Sequence, residues 1–327
     1  MFILLDNVND LIENFRKGNI RALARIISKI ENEDPSKDEI LKRIFDMTGK
    51  AFVLGVTGAP GAGKSSLVDR ITAYLRKKGD TVGIIAVDPT SPFSGGALLG
   101  DRIRMQDHAV DRGVYIRSMG TRGSLGGLAR TTKEVVKVLD AYGYNRVIVE
   151  TVGVGQAELD IMNVADTTMV VLTPGAGDSI QTIKAGIMEI ADIFVVNKCD
   201  LPGAQRVASE IMQMLDLQGA VSEWRPPVVQ VSTLDDRGIN ELMETVEKYR
   251  LYLAESGLME NKREDRMRKE TLEIVDYRWQ QLVSSQLNYK GYVNDILNGV
   301  IGKKTDPYTA ASEILKYIIE NSGLSNL

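Results

Sequence analysis

The sequence predicts an α/β fold of the P-loop NTPase type: a mostly parallel sheet with helices on both faces, plus N- and C-terminal helical extensions. Three observations carry this expectation. Between about residues 50 and 250, short apolar runs, mostly β-branched, alternate with amphipathic stretches. That is the pattern of strands buried on both faces and joined by right-handed helical crossovers. One run, residues 52–56, leads into Gly58-Ala59-Pro60-Gly61-Ala62-Gly63-Lys64-Ser65 and then a helix-like stretch over 66–71. This is the strand, G-x-x-x-x-G-K-[ST] loop and helix of a phosphate-cradling P-loop. Residues 1–49 and 251–327 read as helical extensions flanking a central domain over 50–250.

In chain order, the first extension has apolar residues at three- and four-residue spacings from Ala22 to Ile30. Asp34-Pro35 predicts a helix start, with the carboxylate as N-cap and proline in the first helical position. It opens a helix over 36–47 that stops near Gly49. Such short helices cannot bury their apolar faces alone and are expected to pack on the central domain. The P-loop follows. Its glycines let backbone N–H groups converge on phosphate oxygens, and the helix start adds a favourable dipole. Gly58, Ala59, Pro60, Gly61, Ala62, Gly63, Lys64, Ser65 and Ser66 are therefore expected to line a nucleotide triphosphate. Lys64 would place its charge on the β and γ phosphates, and the Ser65 hydroxyl would bind magnesium.

Further strands are predicted over 82–87, 114–116, 147–149, 169–172, 193–196 and 228–231. Asp88 and Glu150 end two of them. Carboxylates at strand C-termini beside the P-loop face the ligand crevice of an open α/β sheet. With Ser65 they form the expected magnesium site, the carboxylates acting partly through water. Glu150-Thr151-Val152-Gly153 occupies the place of a D-x-x-G loop, with glutamate for aspartate. Gly153 would offer its N–H to the γ-phosphate and report hydrolysis. Glycine-rich stretches over 91–102, 120–127 and 153–156 read as functional loops. Asp101 is a further magnesium candidate. Gln156, Glu158 and Asp178 are the candidates for orienting an attacking water, and Arg102, Arg104 and Arg122 for stabilising transferred charge.

Asn197-Lys198-Cys199-Asp200 matches N-K-x-D directly after a strand. An aspartate there accepts hydrogen bonds from guanine N1–H and the exocyclic amine. Adenine offers neither, so it would leave a carboxylate unpaired. Asn197 would tie this loop to the P-loop, and the Lys198 stem would cover the purine. Ser232-Thr233-Leu234 follows the last strand and is placed to give backbone N–H groups to the guanine carbonyl. Beyond 250, residues 261–270 form a mixed-charge helix face, either solvated or packed on a second chain. Leu272, Val275, Trp279 and Leu282 continue a helical stripe. Asp306-Pro307 starts a last helix ending near Ile319.

Composition narrows the alternatives. The 327 residues carry a net charge of −4, which argues against general nucleic-acid binding. The single cysteine, Cys199, excludes an intrachain disulfide. With one histidine, His108, no His/Cys metal cluster can be built from this chain alone, and His108 is read as a structural or surface residue, with a role in switching as the alternative. No apolar run approaches the ~20 residues of a membrane helix, and the start does not read as a signal peptide. A cytoplasmic location is expected, with no membrane partner.

Longer strings then carry a family resemblance. They are residues 21–25, 55–66, Asp88-Pro89-Thr90-Ser91-Pro92-Phe93 with Gly95-Gly96 and 100–105, Thr121-Arg122-Gly123 with Leu125-Gly126-Gly127, 150–156, and 186–192. Together with the glutamate of the second acidic motif, they resemble the MeaB/ArgK family of P-loop GTPases, which includes the methylmalonic aciduria type A protein. The resemblance spans about residues 20–235 and extends to the C-terminal arm only in kind. It implies a GTP-hydrolysing homodimer, held by helical extensions, that gates cofactor loading of an adenosylcobalamin-dependent acyl-CoA mutase, chiefly methylmalonyl-CoA mutase, and protects or reactivates that enzyme. It also implies that the mutase stimulates hydrolysis and that residues 175–181 form a switch sensing it. In that switch Ser179 stands where the family often has an acidic residue. GTP/GDP and Mg2+ are the implied ligands. The rival readings are a nickel-delivery GTPase, a P-loop kinase linked to amino-acid transport, and a non-enzymatic nucleotide-binding module.

Overall fold

The computed structural model describes residues 7–88, 108, 110–120, 130–151, 160–175, 189–218, 223–287 and 291–321. The chain divides into two compact units, Met1–Glu260 and Asn261–Leu327.

Among the described residues, the first unit is built on seven parallel strands: β1 (Phe52–Gly58), β2 (Val82–Asp88), β3 (Val114–Gly120), β4 (Arg146–Thr151), β5 (Thr167–Leu172), β6 (Ile193–Val196) and β7 (Val228–Gln230). Their order is β3-β2-β4-β1-β5-β6-β7. The chain therefore moves to opposite sides of β1, and the crevice beyond its C-terminal end is where ligands bind in such sheets. Successive residues of each strand face opposite layers. Val53, Val147, Val149, Val170, Phe194 and Val196 enter one core cluster; Leu54, Val56, Ile148, Met169, Val171 and Val195 enter the other. This double burial is why the strands read as continuous apolar runs.

The second of these layers is filled by α4 (Lys64–Lys77) and α7 (Ile239–Glu255) through Leu67, Val68, Ile71, Leu242 and Val246. The first is filled by α5 (Arg130–Tyr142), α6 (Ala204–Gln218) and three N-terminal helices, α1 (Val8–Arg16), α2 (Ile20–Glu31) and α3 (Lys37–Ile44). Leu23, Ile26, Ile27 and Ile30 of α2 are fully buried in that layer, so the N-terminal helices do pack on the sheet domain as their amphipathicity requires. Ion pairs reinforce the contact. Arg117 of β3 bonds Glu31, Arg130 of α5 bonds Glu33, and Lys37 lies 3.1 Å from Glu134 of α5. Burial pushes the Glu134 carboxyl up, against the pull of Lys37 and Arg130.

The helix expected from Asp34 begins later. Asp34 accepts from the Ser36 backbone N–H at 2.9 Å and from its hydroxyl at 2.5 Å. The helix starts at Lys37 with Ser36 as cap residue. Aspartate closing on the amide two residues ahead makes a turn in which Pro35 sits, and this local closure competes with helical geometry.

The second unit holds the residues of α8 (Leu258–Leu287) beyond Glu260, with α9 (Tyr292–Ile301) and α10 (Pro307–Asn321). Tyr292 and Tyr317 join α9 to α10 with ring centroids 5.0 Å apart. Among the described residues, no helix is long and apolar enough to cross a membrane.

Candidate nucleotide and metal site

The P-loop leaves β1 in a conformation that demands glycine. Gly58 has φ +138°, and a Cβ there would stand 2.1 Å from the Val171 carbonyl oxygen of β5. Gly63 has φ +86°, and its Cβ would meet the Asn197 amide nitrogen at 2.3 Å. Side chains at either point would force the loop off its two neighbouring strands. Lys64, the first residue of α4, is buried. Its ammonium donates to the carbonyls of Gly58 at 2.7 Å and Ala59 at 3.0 Å. The charge is thereby held at the mouth of the loop and at the positive end of the helix, where an anion gains from both. Ser65 donates its hydroxyl to Glu150 Oε1 at 2.6 Å, and both residues are buried.

Two residues of the N-K-x-D motif are tied to this loop. Asn197 is fully buried, and its amide nitrogen donates to the Ala62 carbonyl at 2.8 Å and to the Gly63 carbonyl at 3.4 Å. Its own oxygen accepts from the Lys198 backbone N–H at 2.8 Å. Lys198 takes a left-handed φ of +56° and reaches the Gly61 carbonyl at 2.9 Å. Asp200, at the end of the motif, is exposed and stands near the Ser232 hydroxyl. That hydroxyl, with the Arg237 and Lys198 charges, holds the Asp200 carboxyl below the usual carboxylate range. Ser232, fully buried, closes a loop by exchanging backbone hydrogen bonds with Arg237, N to O 3.0 Å and O to N 3.1 Å. The Cys199 thiol is half-buried against the core. His108 faces α4, its Nε2 lying 3.3 Å from the Asp69 carboxylate and 3.2 Å from its carbonyl.

The sequence reading missed the influence of the Ser232 hydroxyl on Asp200, the Lys198 ammonium on Gly61, and Arg70 of α4, whose Nε donates to the Thr233 carbonyl at 3.2 Å. The serine was visible as the first residue of the S-T-L string. The arginine had no sequence signal, since its partner lies far along the chain.

Ser65 and Glu150 present hard oxygen donors a hydrogen bond apart, a donor set that suits magnesium. Asp88 stands at the C-terminal end of β2, beside β4; its side chain lies outside the described residues. So do Asp101, Gly153, Gln156, Glu158 and Asp178, with Arg102, Arg104 and Arg122. Among the described residues, no three His, Cys, Asp or Glu side chains cluster as a metal site.

Residues 23–288 match the family model described as methylmalonyl Co-A mutase-associated GTPase MeaB. A protein of Pyrococcus abyssi designated a GTPase is 50% identical over 321 residues, covering 97% of this chain and 98% of its own. The mitochondrial methylmalonic aciduria type A homolog of Caenorhabditis elegans is 34% identical over 282 residues, covering 80% of this chain and 71% of its own. Among solved structures, that of a LAO/AO transport system kinase superposes with a TM-score of 0.68 at 26% identity, covering 97% of this chain and 99% of its own.

Proposed function

The chain belongs to the MeaB family of GTPases, and from that membership and the crevice geometry we propose that it hydrolyses GTP with magnesium. We propose further that it does so as a chaperone of an adenosylcobalamin-dependent acyl-CoA mutase, with methylmalonyl-CoA mutase the first candidate. One observation supports the nucleotide reading above the others. Asn197 bonds the P-loop carbonyls while its motif partner Asp200 stands ionised beside Ser232. A single short segment thus links a triphosphate cradle to a guanine reader.

In this reading hydrolysis proceeds by positioning and charge stabilisation, without a covalent intermediate. Lys64 and the P-loop amides neutralise charge growing on the transferred phosphoryl group. Asp200 selects guanine, and the amides of Thr233 and Leu234 meet its carbonyl. Magnesium, held by Ser65 and Glu150 with Asp88 and Asp101 completing its shell, would supply further neutralisation of the phosphates. Gly153 is assigned to sensing the γ-phosphate, and Gln156 and Asp178 to orienting the water. The family's description and the name of the Caenorhabditis elegans relative support the mutase as partner. Residues 1–49, 50–250 and 251–327 serve as extension, GTPase domain and dimerisation arm, in a cytoplasmic homodimer.

The test is GTP turnover with and without a mutase. Stimulation by the mutase is expected, and Lys64→Ala should lower turnover by at least 100-fold, the scale of losing one main charge-stabilising group. Near-normal turnover in that variant would remove the mechanism. A second reading, phosphoryl transfer to another acceptor, draws on the likeness to the LAO/AO transport system kinase. Labelled γ-phosphate decides between them: recovery as inorganic phosphate supports hydrolysis, and recovery on a protein or amino acid supports a kinase.

A further inference from the structure

Arg70 lies on α4, the helix that begins at the P-loop lysine. Its Nε donates to the Thr233 carbonyl at 3.2 Å and stands 3.2 Å from Asp236 Oδ1. Both partners belong to the loop that Ser232 and Arg237 close. Asp236 holds a left-handed φ of +56° in that loop, a conformation aspartate tolerates better than most residues. Just beyond it, Gly238 has φ +77°, and a Cβ there would stand 2.2 Å from the Gln230 carbonyl oxygen. The loop is therefore sharply bent and held against β7.

A trans peptide is planar, and its C=O and N–H point in opposite directions. The Ser232 carbonyl accepts from Arg237 N at 3.1 Å, which fixes the plane carrying the Thr233 N–H. The Thr233 carbonyl accepts from Arg70, which fixes the next plane and turns the Leu234 N–H away from α4. No peptide bond in the described chain is cis, so the argument applies to both planes. Arg70 and Asp236 are partly exposed, with 41% and 65% of their side-chain surface accessible. An ion pair that exposed contributes little to stability; its consequence is orientation.

We infer that Arg70 is a positioning residue for recognition of the guanine 6-oxygen: by holding the Thr233 carbonyl, it aims the Leu234 N–H at that atom. The inference rests on the GTPase reading above and deepens it. It separates two halves of base recognition. Asp200 reads the N1–H and the 2-amino group, whereas the peptide set by Arg70 reads the oxygen.

Three diphosphates separate these contributions by calorimetry. GDP carries all the groups. 6-thio-GDP replaces the oxygen with a poorer acceptor and keeps both edges that Asp200 reads. IDP lacks the 2-amino group and keeps the oxygen. In Arg70→Ala, GDP affinity should fall about tenfold, the scale of one well-aimed hydrogen bond. The preference for GDP over 6-thio-GDP should shrink by the same factor, while the preference for GDP over IDP holds. KM for GTP should rise in step with kcat retained. Arg70→Lys, which keeps a donor, should recover part of the discrimination, and Asp236→Ala should lose part of it. A uniform loss for all three ligands would mark Arg70 as a general structural support and overturn the inference. So would unchanged ratios, or a wild-type protein that binds GDP and 6-thio-GDP equally. Failure of the wild type to bind any guanine nucleotide would instead sink the GTPase reading itself, and this inference with it.

Discussion

Asn197 and Asp200 show how much a single motif position controls. The asparagine has no exposed surface and satisfies two carbonyls of the phosphate loop. Removing its amide would strand those acceptors in the interior, where each unpaired group is costly. Asp200 is different: it faces solvent, and its value lies in being ionised and fixed. The Ser232 hydroxyl, with the Arg237 and Lys198 charges, favours the ionised form by holding the carboxyl below the usual carboxylate range. Asp200→Asn replaces one acceptor with a donor. The preference for GTP over xanthosine triphosphate should fall by at least 100-fold, because a site built around specific hydrogen bonds rejects ligands that cannot make them. Competition binding checks it, and unchanged selectivity would place base recognition elsewhere. Both residues were legible in the sequence because N-K-x-D is contiguous. The Ser232 hydroxyl was not assigned from sequence, because it and Asp200 lie on two separate loops.

Elements obey local chemistry until a neighbour overrides it. The seven strands stand where the apolar runs lie, though β1, β2, β3 and β4 run past the apolar stretch to Gly58, Asp88, Gly120 and Thr151. Those extra residues pair in the sheet because the adjacent strand is already there, which no single run can signal. Helix α3 departs from its sequence signal for a local reason. Asp34 accepts two hydrogen bonds from Ser36 and one from Lys29, and they hold its carboxyl down to about 2. A carboxyl depressed on folding contributes its stabilisation fully above its ordinary value of 3.8 and loses it as pH falls through the folded value. Asp34→Ala should therefore lower Tm at neutral pH. The gap from wild type should close between about pH 4 and pH 2, as thermal melts at stepped pH would show. A gap constant across that range would deny the carboxylate this role.

At the scale of the molecule, an interior shared between the sheet and the N-terminal helices makes Met1–Glu260 one unit. The Asn261–Leu327 unit has a different character. Leu272, Val275 and Trp279 remain 64%, 56% and 40% exposed on α8, a run of apolar surface that calls for a covering partner. The proposed dimer supplies one. Leu272→Asp with Trp279→Asp should shift the mass in sedimentation from two chains to one while leaving the far-ultraviolet dichroism intact. Persistence of the wild-type mass would move the dimer contact off this stripe.

The sequence by itself determined the sheet's class, the P-loop, the N-K-x-D motif and the helical ends. Each depends on residues within one strand, one turn or one helix face, so periodicity and spacing encode it directly. Tertiary structure alone supplied the atoms that forbid a side chain at the motif's Gly58 and Gly63, which come from β5 and from Asn197. It decided likewise that Ser65 meets Glu150, that the Ser232 hydroxyl helps hold the Asp200 carboxyl below its usual range, and that Arg70 meets the Thr233 carbonyl. These partners are distant in the chain and meet only when the crossovers bring the strand ends to one edge of the sheet.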